Sequence, residues 1–189
     1  MKQPVQLSHA SRLLNHGPTV IVTSAHEGRR NVMSAAWSMP VEFTPPRIAI
    51  VIDKNTFSRE LIVASGCFAI NIPGRALADL TYAVGSVSGR EGDKFERWKI
   101  ATTDGPALGL PLLDDCIAWM ECRLISEPHT QEAYDTCFAE VVSAAADDRV
   151  FANGRWSFRA DNAGLHTLHH LGAGNFAVSE AMITARPMA

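Results

Sequence analysis

The 189-residue sequence has only four cysteines, Cys67, Cys116, Cys122 and Cys137, and no Cys-x-x-Cys pair. That spacing excludes a disulfide scaffold and a redox dithiol motif. The opening segment, Met1 to His9, has no apolar run of the secretory kind, so the expected location is the cytoplasm, with reduced thiols. Long hydrophobic runs are also missing. The charge-free stretch from Leu61 to Gly74 falls short of the roughly 20 residues of a membrane span, and Gly66, Asn71 and Pro73 interrupt it. Clustered positive charge is absent as well: Lys and Arg total 17 against 20 Asp and Glu, a net charge of −3, and Arg29-Arg30 is only a pair. Counterion release needs many clustered cations, so neither nucleic acid nor an anionic membrane is expected as the main partner. No G-x-G-x-x-G, Walker A, G-x-S-x-G or H-E-x-x-H segment occurs, which leaves cofactor chemistry or plain binding.

What is present suits one globular domain over residues 1–189, with 47% hydrophobic and 20% charged residues. Thr19 to Ser24 is β-branched and reads as a strand, Ala25 to Arg30 as its hairpin turn, and Asn31 to Ser38 as the returning strand. Pro40 and the Pro45-Pro46 pair are expected to break regular structure. Arg47 to Ile52 reads as a buried strand. Arg59 to Ala64 reads as a short helix stopped by Gly66, Cys67 to Ile72 as a strand, Ala76 to Val84 as a helix and Asp93 to Trp98 as one helical turn. Ile117 to Ile125 and Thr136 to Ala145 are further strands. Hairpin turns and short helices between strands predict a mainly antiparallel sheet closing into a barrel.

Three segments could carry chemistry. Lys54-Asn55-Thr56-Phe57-Ser58 follows a buried strand and opens a helix, whose first N–H groups attract anions. An ordinary N-cap is the competing reading. The loop from Gly85 to Lys94 brings Gly85, Ser88, Gly89, Arg90 and Lys94, and reads either as a ligand loop or as a solvated connection. His166, His169 and His170 would offer a metal pair only if helical, and no metal site is expected from them. Ser34, Ala35 and Ala36 leave backbone open to anything placed against them.

Together these segments resemble the flavin reductase-like, FMN-binding split-barrel family, in particular its flavoredoxin branch, from about Leu7 to about Val178. Gly17 to Ser24 looks like the family's first strand and Asn31 to Trp37 like its flavin-side strand and loop. Pro45-Pro46 with Ile48 to Asp53 looks like the next strand. Gly66-Cys67-Phe68-Ala69-Ile70-Asn71-Ile72-Pro73 resembles "G-x-F-x-x-N-x-P". Ser88-Gly89-Arg90 with Asp93-Lys94-Phe95 resembles "S-G-x…D-K-F". Leu168 to Gly172 resembles "H-x-G-G", with Ala173 where a second Gly is usual.

The resemblance implies a mainly β fold with short helices, a six-stranded antiparallel split barrel. It also implies a homodimer with non-covalent FMN near the subunit interface. The implied activity is NAD(P)H-dependent flavin reduction, with NADH or NADPH as co-substrate and hydride passing to flavin N5. The alternative is a flavoredoxin-like electron carrier serving a redox partner protein. Thr56, Ser58 and Lys94 would hold the phosphate. Asn31 and Trp37 would border the ring or ribityl chain, with Met33, Ser34, Ala35 and Ala36 beside them. Lys54, Asn55, Asn71, Ser88 and Gly89 complete the candidate set. Hydride transfer depends on stacking geometry more than on an acid or base, so no catalytic side chain is required. His169 and His170 are the candidates for ordering the nicotinamide or the flavin edge.

Overall fold

The computed structural model describes residues 1–10, 13, 17–180 and 182–187. It contains Lys2–Pro4 (β1), Leu7–Ala10 (α1), Val20–His26 (β2), Arg29–Ala35 (β3), Ser38–Phe43 (β4), Pro46–Val51 (β5), Phe57–Ser65 (α2) and Cys67–Ile72 (β6). Ala78–Ser86 (α3), Lys94–Arg97 (α4), Thr102–Asp104 (β7), Pro111–Leu113 (β8), Ala118–Ile125 (β9), Pro128–Tyr134 (α5) and Thr136–Asp147 (β10) follow. Two hairpins close the chain: Phe151–Ala152 (β11) with Arg155–Trp156 (β12), and Leu168–Gly172 (β13) with Asn175–Val178 (β14).

The main sheet is antiparallel throughout and runs β3-β2-β6-β9-β10-β5-β4, with β1 added on β10. Its two end strands, β3 and β4, are consecutive in sequence and joined by Ala36 and Trp37 alone. So short a link holds the ends of the sheet together, and the sheet curls into a barrel with a seam between β3 and β4. The strand path thus has seven members where six were expected. The segment expected as one strand, Asn31 to Ser38, is two. Its first part pairs with β2, and from Trp37, whose carbonyl accepts from Val51 N–H at 3.0 Å, the chain pairs with β5.

Alternation places one face of each strand inside. Val20 and Val22, Ile48 and Ile50, Phe68 and Ile70, Met120 and Cys122, and Cys137 and Ala139 form the barrel core. On the outer face of β2 and β3, Ile21 and Val32 pack with Val84 of α3, Phe95 of α4 and Leu113. A bulge at Val142 lets the long β10 serve β5 with its first half and β1 with its last residues.

Several local expectations are corrected. The β2–β3 turn is only Glu27-Gly28, with φ of 48° and 75°, the two-residue type whose twist matches its strands. Pro40 does not end regular structure. It lies in β4, a terminal strand of the sheet, beside a bulge at Val41, where a missing N–H is tolerated. Gly85 belongs to α3 rather than to the loop. Gly66, at φ 70°, stops α2 as anticipated. Ala173 takes the glycine-like conformation itself, at φ 49°, and Gly174 follows at 77°, so the β13–β14 turn forms without a Gly at position 173. His166 to His170 is not helical. His166 is buried, with Nε2 2.9 Å from Arg159 O and 3.0 Å from Asn162 Oδ1, while His169 and His170 lie on β13.

Candidate functional site

Two adjoining clefts open where α3 crosses β3. The larger, about 310 Å³, lies among Asn31 and Met33 of β3, Asn55 to Phe57 at the start of α2, Val84 to Ser86 of α3, and the Val87 to Arg90 loop with Lys94. The smaller, about 190 Å³, lies among Thr19, Ser34, Ala35, Ala36, Tyr82, His170 and Phe176. Between them Gly85 sits against Ser34. A Cβ on Gly85 would collide with Ser34 Oγ, so the crossing of helix over strand requires glycine there. Gly89 has the same constraint: a Cβ would collide with Asn31 Oδ1 and come within 2.8 Å of Phe57 Cδ1.

The pairing of β3 decides what faces the clefts. With a two-residue turn, the hydrogen-bonded pairs are His26 with Arg29, Ser24 with Asn31, Val22 with Met33 and Val20 with Ala35. Arg30, Val32 and Ser34 therefore turn their backbone N–H and C=O outward from the sheet. Lys94 uses that outward edge. Its ammonium donates to Val32 O at 2.8 Å and to Val84 O at 2.7 Å, tying the free edge of β3 to the last turn of α3. Lys94 is only 4% exposed, and burial lowers its pKa to about 8.

Of the residues singled out in the sequence, Asn31, Met33, Asn55, Thr56, Ser88, Gly89 and Lys94 line the larger cleft, and Ser34, Ala35, Ala36 and His170 the smaller. Several have other tasks than those expected. Lys94 braces the cleft walls rather than reaching freely for an anion. Ser58 is fully buried, and its hydroxyl oxygen accepts from Asn31 Nδ2 at 2.9 Å. Thr56 is the N-cap of α2: its Oγ1 accepts from Arg59 N–H at 3.2 Å and donates to Asp53 O at 2.8 Å. Ser88 caps a short 3-10 turn through Arg90 N–H at 3.2 Å.

Other candidates line neither cleft. Lys54 reaches to Glu132 O of α5 at 2.6 Å. Asn71 is buried beside β2 and β8, where its Oδ1 accepts from Leu113 N–H at 2.9 Å and its amide donates to Ile21 O. Trp37 is 73% exposed on the link between β3 and β4 and lines neither cleft. His169 Nε2 is 3.3 Å from Thr167 Oγ1. His170 stacks obliquely on Phe176, with ring centres 5.5 Å apart.

The sequence reading missed Tyr82, Phe176, Glu60 and Arg59, and it placed Gly85 in the loop rather than in α3. A glycine inside a helical run costs about 1 kcal/mol and is itself a sign of close approach. Tyr82 and Phe176 had no local signal, because the tip of the β13–β14 hairpin meets Tyr82 only in the folded chain: a Cβ on Gly174 would stand 3.1 Å from the Tyr82 ring. Arg59, 4% exposed, donates to Ile52 O, Asp135 O and Gln131 O and anchors α2 from behind.

An antiparallel barrel split at one seam is the split-barrel fold of flavin reductase-like proteins. Residues 12–162 match the family model described as flavin reductase like domain, and the chain belongs to that family. The uncharacterized protein YddH of Escherichia coli (strain K12) is 60% identical over 185 residues, covering 96% of this chain and 97% of YddH. The FMN-binding domain of a flavin reductases-like enzyme from Shewanella baltica OS155 has a TM-score of 0.95 at 39% identity, covering 98% of both chains. Flavoredoxin of Desulfovibrio vulgaris (Miyazaki F), with a TM-score of 0.76 at 20% identity over 89% of this chain and 90% of its own, shares the fold. Among the described residues, no helix is long and apolar enough to cross a membrane.

The Lys94 brace has a measurable signature. Its folded pKa, about 8, lies below the ordinary 10.5, so between those values the unfolded chain holds more protons and stability rises with pH. Denaturation of wild type and Lys94→Met from pH 7 to 10.5 should show the wild type gaining on the variant above pH 8. A constant difference would show that the ammonium is not buried.

Proposed function

We propose that this chain binds FMN in the two clefts at the seam and acts as an NAD(P)H-dependent flavin reductase. The observation that carries this reading is Asn31. Its Oδ1, in the wall of the larger cleft, is buried without a hydrogen-bond partner and packs so closely on Gly89 that a Cβ there would collide with it. A buried polar atom in that condition costs free energy unless a ligand completes it, and a ribityl hydroxyl has the donor it needs. Gly85 and Gly89 let Ser34 and Asn31 pack against their backbone at the cleft wall, where a Cβ would push them aside.

When bound, FMN supplies the two-electron acceptor, its N5 taking the hydride that NADH or NADPH gives up. The chain's own part is positioning. Outward N–H groups on the free edge of β3 oppose negative charge along the flavin ring. The Phe57 backbone N–H at the start of α2 and the Arg90 guanidinium receive the phosphate, since Ser58, Lys94 and the N–H groups of Asn55 and Thr56 are already engaged. Tyr82, His170 and Phe176 shape the smaller cleft beside the ring, where the second reactant stacks. The free, mostly buried thiols agree with a cytoplasmic location.

The active unit in this reading is a homodimer. Trp37, Met39, Val41 and Phe43 are 73%, 58%, 46% and 64% exposed along the seam and its outermost strand, beside the smaller cleft. Pro40 and the bulge discourage sheet extension, so a second copy would cover this apolar stripe face to face. Sedimentation should give about twice 20.5 kDa, and Met39→Asp with Phe43→Asp should give a folded monomer. A wild-type monomer with tightly bound FMN would refute this assembly.

Purified protein should be yellow, and its 450 nm region band should bleach on anaerobic addition of NADH or NADPH. Bleaching by dithionite alone would identify an electron carrier serving a partner protein, and a colourless chain that takes up no FMN would overturn both readings.

The small residues supply a steric test. Ala35 packs against the barrel core, whereas Ala36 is exposed in the smaller cleft. Ala35→Leu should therefore cost about 1–3 kcal/mol of stability through overpacking. Ala36→Leu should leave the melting temperature of the flavin-free protein nearly unchanged and reduce flavin content sharply. Normal flavin content in Ala36→Leu would mean that the ring does not reach this cleft.

A further inference from the structure

At the mouth of the larger cleft, one carboxylate holds two arginines. Glu60 of α2 accepts from Arg29 Nη1 at 2.9 Å through Oε1 and from Arg90 Nη2 at 3.2 Å through Oε2. Both guanidinium carbons stand 5.6 Å from the centre of the Phe57 ring. The two arginines differ in one respect: Arg90 lines the cleft and Arg29 does not. Arg90 is also steadied by a second bond, from Nη1 to Asn55 O at 3.0 Å. Neither pair is buried, with side chains 43–52% exposed, so each is weakly held and open to exchange.

From this arrangement we propose that Glu60 competes with a bound phosphate group for Arg90, and so sets both the affinity for flavin and the preference for its phosphorylated form. The inference rests on the flavin reading above. Arg90 can leave Glu60 for an anion in the cleft without stranding the carboxylate, because Oε1 keeps Arg29. The bond to Asn55 O keeps Arg90 at the cleft wall during the exchange. Glu60 also carries the same sign of charge as the phosphate and stands behind the same guanidinium. It neutralises Arg90 before binding and repels the phosphate afterwards. A carboxylate there therefore weakens the grip on phosphate, which is the opposite of a residue that presents Arg90 to it.

The test uses flavin-stripped full-length protein titrated with FMN and, separately, with riboflavin, for wild type, Glu60→Gln, Arg90→Gln and the double variant. Glu60→Gln is nearly isosteric on an exposed helix face, and melting temperatures of the stripped proteins check that each is folded. The expected result is about a three- to fivefold gain in FMN affinity for Glu60→Gln, with riboflavin affinity unchanged. Most of the gain should be lost in the Arg90→Gln background, where no guanidinium is left to release and only direct repulsion is relieved. An unchanged or weaker FMN affinity in Glu60→Gln would overturn the proposal and make Glu60 a support for Arg90. An equal gain for riboflavin would overturn it too, since the effect would then not pass through the phosphate. A wild-type chain that takes up neither flavin overturns the flavin reading and this inference together.

Discussion

The cleft exists because one buried ammonium satisfies two backbone carbonyls that the fold leaves without partners. Val32 lies on the unpaired edge of β3, so its carbonyl has no neighbouring strand. Val84 lies in the last turn of α3, whose carbonyls have no intrahelical donor. Lys94 bridges both at 2.7–2.8 Å. Its charge also sits at the negative end of the α3 dipole. The lowered pKa records the desolvation that opposes this arrangement. Without the bridge, the crossing would rest on the packing of Val84 with Val32 and on the close fit of Gly85 against Ser34.

The seam follows from the same segment. A barrel closed by hydrogen bonds all round would leave β3 no free edge and no place for a ligand to meet backbone. Here the chain crosses from one end of the sheet to the other through Ala36 and Trp37, and the opening is lined on one side by small residues. Phe176 and His170 come to it from a separate hairpin, held to the barrel by Thr19, whose N–H donates to Leu168 O and whose Oγ1 accepts from His170 N–H. The scaffold is rigid where the strands pair. Side chains that shape the smaller cleft are carried on pieces attached at its edge.

Much of the scaffold was legible in the sequence, since strands are written locally. Cys67 to Ile72 matches its strand at both ends, and Gly66 stops α2 through its left-handed conformation. The division between β3 and β4 was not legible. Asn31 to Ser38 reads as one extended run, but the chain bends at Ala36 and changes its pairing partner there. The site was legible as an address more than as a set of roles. Asn31, Thr56, Gly89 and Lys94 do converge, but whether a hydroxyl or ammonium faces the ligand or a neighbouring carbonyl depends on contacts between distant segments. Lys54, Asn71 and Trp37 were drawn in by neighbours in sequence and are turned away by tertiary packing. Glu60 carried no signal, because an acidic residue in the first turns of a helix is ordinary.

The distribution of cations bears on the chemistry. Arg59 and Lys94 are both buried and bound to carbonyls, the first through a guanidinium that spans three of them and the second through a compact ammonium that fits two. Both are structural charges, fixed before any ligand arrives. Arg90 is the cation that lines the cleft while remaining half-exposed, and it is already shared with Glu60. A phosphate held this way keeps access to water and meets a competing carboxylate, so its bonds are individually weak and exchange readily. A carrier that must retain its flavin through repeated one-partner encounters gains from the opposite arrangement, with buried cations aimed at the phosphate. In the proposed reading this placement of charge gives a weaker grip on the phosphate than buried cations would, which suits a reductase that exchanges flavin more than a carrier that retains it.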